Sequence, residues 1–175
     1  VTISGGTIGS QDSTGIVHKN DGAFSSGGAA IGGGAGASDD TTVTISNVLI
    51  HNAEGRDGGA GIGGGKNSSG ATNVNITGGK VNASTGYGNG GAGIGSGKES
   101  SGATNIEITG DALVSAGSSG GAAIGSGKSS TGETTINIHD TNPGKGVKSA
   151  FAYVGAGIGS GHYAKGKTLS LIHIS

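Results

Sequence analysis

Cysteine, methionine and tryptophan are missing from the 175 residues, proline occurs once, and aromatics make up 3%. Without cysteine there is neither a disulfide nor a thiolate metal site, and the redox compartment stays open. With so few aromatics the chain cannot fill a thick core, so its interior must be narrow and built of Ile, Val and Ala. A net charge of -1 gives no bulk attraction to nucleic acid or to an anionic membrane. There is no signal peptide and no long apolar run, so membrane insertion is not expected. The chain opens in mid-pattern at VTISGG without a Met, which reads as an internal fragment of something longer.

What is abundant is glycine, 43 residues, without the G-X-Y period of collagen. One eight-residue phrase returns five times: GGAAIGGG at 27–34, GGAGIGGG at 58–65, GGAGIGSG at 90–97, GGAAIGSG at 120–127 and VGAGIGSG at 154–161. Self-similarity at a period near thirty residues marks a repeat architecture. A second phrase follows each of the first four: TTVTIS at 41–46, TNVNIT at 72–77, TNIEIT at 104–109 and TTINIH at 134–139. It alternates apolar with polar, the period of a half-buried strand. Val43/Ile45, Val74/Ile76, Ile106/Ile108 and Ile136/Ile138 face one way; Thr44, Asn75, Glu107 and Asn137 face the other.

Ile31 to Val43, Ile62 to Val74, Ile94 to Ile106 and Ile124 to Ile136 are each twelve apart, whereas the return arm from Ile45, Ile76, Ile108 and Ile138 takes seventeen, eighteen, sixteen and twenty. Fixed spacing suits a stacked wall and variable spacing suits a corner of loops. The variable arm also carries a weaker apolar element at Lys80-Val81-Asn82-Ala83 and Val114-Ser115-Ala116. Three short strands per copy, each pairing with its equivalent about 4.8 Å away, predict an all-β, right-handed parallel β-helix (a β-solenoid) of about five coils of about 31 residues. Ile31, Ile62, Ile94, Ile124 and Ile158 should form an internal ladder. Alternation would leave Gly61, Gly63, Gly93 and Gly95 on a bare outer wall, a face for a second layer to pack on. The apolar side chains of one coil cannot offset the entropy of ordering it, so stability should depend on copy number.

The last copy breaks. Thr168 matches Thr134, but Leu169 and Ser170 then invert the polar-apolar order, and the chain ends LSLIHIS. That string is similar to the translated end of a transposon adapter used in DNA library preparation. Residues 1–168 are therefore read as a single β-solenoid repeat domain and 169–175 as a non-native tail, so no function is drawn from His173.

Motifs for chemistry are few. GGAAIGSGKSS at 120–130 fails as a phosphate loop because Ala122 stands where the first Gly is required. The outward row Thr44, Asn75, Glu107, Asn137 holds one carboxylate, where a polysaccharide lyase or hydrolase needs at least two clustered groups, and no enzymatic activity is expected. That row is too mixed for an ice-binding threonine array. His18, His51 and His139 do not recur in register, so neither a metal site nor any cofactor is expected. Lys66, Lys98 and Lys128 do recur at one equivalent position, with His162 in the last copy. They are the candidate ligand-binding residues, a basic row for acidic or sulfated glycans, set against the plainer reading of solvated turn residues.

The unit GGAGIGSG…TNIEITGD…VSA resembles Gly-rich repeats of large secreted or surface-attached proteins of Gram-positive, often gut-dwelling, bacteria. The resemblance spans Val1 to Thr168. It implies an extracellular β-helical segment on the bacterial cell surface, beside adhesive, carbohydrate-binding or wall-anchoring domains of the same protein. The expected role is a stalk, spacer or presentation scaffold; the alternative is a glycan-binding module with surface glycans as partners.

Overall fold

A computed structural model describes residues 1–8, 23–86, 89–140 and 145–173. Its seventeen strands, β1 to β17 in chain order, form three parallel sheets, and no α-helix occurs among the described residues. The chain is a parallel β-solenoid. The TxVxI phrases form the first sheet: Thr2–Ser4 (β1), Thr41–Ser46 (β5), Thr72–Ile76 (β8), Thr104–Gly110 (β11), Thr134–Asp140 (β14) and Thr168–His173 (β17). The Gly-rich phrases form the second with only two residues each: Ile31–Gly32 (β4), Ile62–Gly63 (β7), Ile94–Gly95 (β10), Ile124–Gly125 (β13) and Ile158–Gly159 (β16). The variable arms form the third: Thr7–Ile8 (β2), Ala23–Ser26 (β3), Val48–Arg56 (β6), Gly79–Thr85 (β9), Leu113–Ser118 (β12) and Gly146–Ala152 (β15).

About four complete turns separate β4 from β16, one fewer than the five coils expected, because each of the five phrases begins a turn and the outermost turns are partial. At one strand spacing per turn the second sheet is about 19 Å tall. Register follows the repeat: Ile94 pairs with Ile62 and Ile124, and Ile106 pairs with Val74 and Ile136. The core is a column of Ile, Val and Ala. Ile62, Ile94 and Ile124 are fully buried in the predicted ladder, with Val74, Ile76, Val81 and Val114 closing the other two sides. Ile158, in the last turn, is only partly buried.

The bare glycine wall is absent, because the phrase does not run as an extended strand. In each copy the Ala N–H donates to the carbonyl four residues on, Ala60 to Gly64 (3.1 Å), Ala92 to Ser96 (3.0 Å) and Ala122 to Ser126 (2.9 Å), folding Gly-Ile-Gly or Ala-Ile-Gly into a closed arch. The arch requires φ between +128° and +140° at Gly32, Gly63, Gly95, Gly125 and Gly159, a region essentially restricted to glycine. All of Gly58 to Gly65 is buried. A Cβ on Gly63 would strike the carbonyl of Gly95 one turn along, and one on Gly61 would lie 2.5 Å from the Ala53 carbonyl in the third sheet. The absent side chains thus make room for neighbouring backbone of the same chain.

The terminal segment pairs in register, Thr168 with Thr134 and Ile172 with Ile138. Its inverted pattern shows as Leu169 and Leu171 facing outward, 67% and 65% exposed, where the preceding turn carries Thr135 and Asn137.

Candidate functional site

Three features of the surface merit attention. The first is the lysine row. Each backbone N–H in it donates to the carbonyl of the glycine that opens the preceding phrase: Lys66 to Gly27, Lys98 to Gly58 and Lys128 to Gly90, at 2.6–2.7 Å. That bond repeats every turn, so Lys66, Lys98 and Lys128 stand in one column about 4.8 Å apart along the axis, with His162 held likewise by Gly120. The lysine stems lie on the leading glycines of the phrases. A Cβ at Gly58 would sit 3.0 Å from Lys66 Cδ and 3.2 Å from Lys98 Cβ; one at Gly90 would sit 3.1 Å from Lys128 Cβ. Half-buried stems with their cationic heads in water are the usual compromise for lysine. Lys98 Nζ is 3.1 Å from Glu99 Oε1. Lys128 Nζ lies 5.9 Å from the centre of the Tyr163 ring, which stacks on His162 at 3.7 Å. The structure therefore brings the three predicted lysines together and gives two of the heads partners within the protein.

The residue after each lysine shows what the sequence reading missed. Asn67, Glu99, Ser129 and Tyr163 all have φ of 57–59°, and Gly36 in the first copy has 69°. Five residue types share one left-handed position, so no sequence signal marks it. The alternation GGG/GSG has a local cause. Ser96 Oγ accepts from the N–H of Gly127 and Ser126 Oγ from that of Gly161, both at 3.0 Å, tying each turn to the next.

The second feature is the outer face of the first sheet. Two outward columns, Thr42–Asn73–Asn105–Thr135 and Thr44–Asn75–Glu107–Asn137, flank a shallow groove of about 470 Å³. Asn105 Nδ2 donates to Asn73 Oδ1 at 2.9 Å, an amide ladder between turns. Glu107 is the only acidic or basic side chain lining this groove. The face offers hydrogen bonds to a polar chain laid along it. His139 and His173 lie side by side at its margin with ring centres 5.2 Å apart. No group of three metal-ligating side chains occurs among the described residues, and His18 lies outside them.

The third feature is a cleft on the third sheet between Ser84, Ser119, Phe151 and Tyr153. Compared with known families, curated proteins and solved structures, the chain matches none.

Proposed function

We propose that this chain is a structural segment of a bacterial extracellular or cell-surface protein, a stalk or spacer that holds adhesive or other domains at a fixed distance. One observation carries the reading: the bonds between turns in the second sheet run through all five phrases along the axis. Ile31, Ile62, Ile94 and Ile124 each donate to the next turn at 2.9–3.1 Å, and six-stranded ladders run on the other two sides. Such a stack resists bending, and its length is set by copy number alone. Pulling the chain from its two ends in a force spectrometer tests this. A rod should resist and then yield turn by turn, and a featureless extension without resistance would dismiss it.

The second reading, a module for acidic or sulfated glycans, draws support from the lysine column, whose stems are seated on glycines rather than loose in solvent. A glycan array probed with the chain should then show a charged class whose signal falls in high salt and on replacing Lys98 and Lys128 with Ala. A blank array leaves the spacer reading in place.

A further inference from the structure

Gly117 is unlike the glycines of the repeated phrase. It sits inside β12, facing outward, with an ordinary φ, and a Cβ placed on it would meet nothing nearer than the Phe151 carbonyl and Ser84 Cβ, both at 3.9 Å. A side chain would fit, and the paired positions one turn either way carry Ser84 and Phe151. Glycine in a strand costs entropy and packing, and it commonly marks a place where a ligand or another backbone comes close. The chain's own backbone packs on the inner side, at Gly93, and on the outward side comes no nearer than the Phe151 carbonyl.

The missing side chain leaves the floor of a cleft of about 220 Å³ open. Phe151, near the end of β15, and Tyr153, just past it, wall the cleft, 66% and 72% exposed. The opposite wall is hydroxyl. Ser119 Oγ donates to the Gly86 carbonyl at 2.8 Å and Ser84 Oγ to Asn52 Oδ1 at 3.3 Å, so the lone pairs of both oxygens are left to accept from a ligand. No acidic or basic side chain lines the cleft. Two exposed aromatic rings, whose faces attract polarised C–H groups through their quadrupole, beside hydroxyl acceptors and without charge in the lining, suit a pyranose ring, with its apolar C–H face and its rim of hydroxyls.

We propose that Gly117, Phe151, Tyr153, Ser84 and Ser119 form a binding site for an uncharged polysaccharide, with one sugar ring seated over Gly117. The site is separate from the lysine column and stands whether or not the chain is also a spacer.

Affinity electrophoresis of the full chain in gels containing xylan, mixed-linkage β-glucan, galactomannan or amylopectin tests it. At least one should retard the protein, and 0.5 M NaCl should leave that retardation in place, unlike binding at the lysines. Gly117→Leu, which fills the floor, should weaken retention about tenfold with an unchanged melting temperature. Phe151→Ala and Tyr153→Ala should each do the same, an effect of roughly 1.4 kcal/mol, while Phe151→Tyr retains binding. Should Gly117→Leu fail to fold, the two aromatic variants, whose rings point to solvent, still decide. The assignment is overturned if none of the four polysaccharides retards the wild type, if the cleft variants bind as well as it does, or if the chain is held only by a phenyl matrix, which would mark the rings as a plain apolar patch.

Discussion

The two arms of each turn obey different rules. The arm from the Gly-rich phrase to the TxVxI strand is always twelve residues from Ile to its partner, as from Ile62 to Val74. The return arm changes length from copy to copy and closes through β6, β9, β12 and β15, where the register slips between Ile50 and Ala53 and between Val114 and Ser115. In the fixed arm, added atoms collide with backbone. Gly63, Gly65 and Gly70 each face a carbonyl of the adjoining turn. In the variable arm Gly55 and Gly79 meet backbone in the same way, but the strands carry bulges and their outward positions differ from copy to copy. The lesson is that rigidity and variation are separated around the cross-section, and the cleft of the further inference lies on the variable side, where binding features generally lie.

The largest break in this contrast should come from Gly63→Val. It places a branched side chain at φ +128° against the Gly95 carbonyl, and we expect a loss of about 4 kcal/mol or more, or no folded protein, by urea unfolding. Ile94→Ala opens the ladder at a fully buried position and should cost about 2–5 kcal/mol in the same measurement. Removing the whole turn 62–93 keeps every register and should lower stability without destroying the fold, as in a one-dimensional stack; loss of all structure by circular dichroism would argue against stacked, equivalent turns. The smallest effect has the opposite sign. Glu99→Gly relieves a left-handed residue, φ 59°, and should stabilise by about 0.5–1 kcal/mol, because its ion pair with Lys98 is solvent-exposed and contributes little.

The fold was readable because two periods coincide. Alternation within TTVTIS and its equivalents fixed which residues face inward, and the constant twelve-residue link fixed what stacks on what. The lysine column followed from the same alignment. The glycine arch was not readable, since a run of Gly, Ala and Ile fits both an extended strand and the observed closed loop, and only the bond from Ala60 to Gly64 distinguishes them. The left-handed column escaped because Asn67, Glu99, Ser129 and Tyr163 share a conformation and no chemistry. The cleft escaped for another reason. It joins Gly117 to Phe151, thirty-four residues on, through pairing across a bulge that spacing alone does not reveal.

One pair of single-methyl changes tests the division most directly. Gly95→Ala and Gly117→Ala add the same atom, one to the fixed arm against the Gly125 carbonyl and one to the variable arm with 3.9 Å of clearance. Urea unfolding should show Gly95→Ala strongly destabilised and Gly117→Ala unchanged or gaining about 0.4–1 kcal/mol. Equal losses at both positions, or a tolerated Gly95→Ala, would contradict an architecture in which the phrase glycines are required by backbone contact between turns.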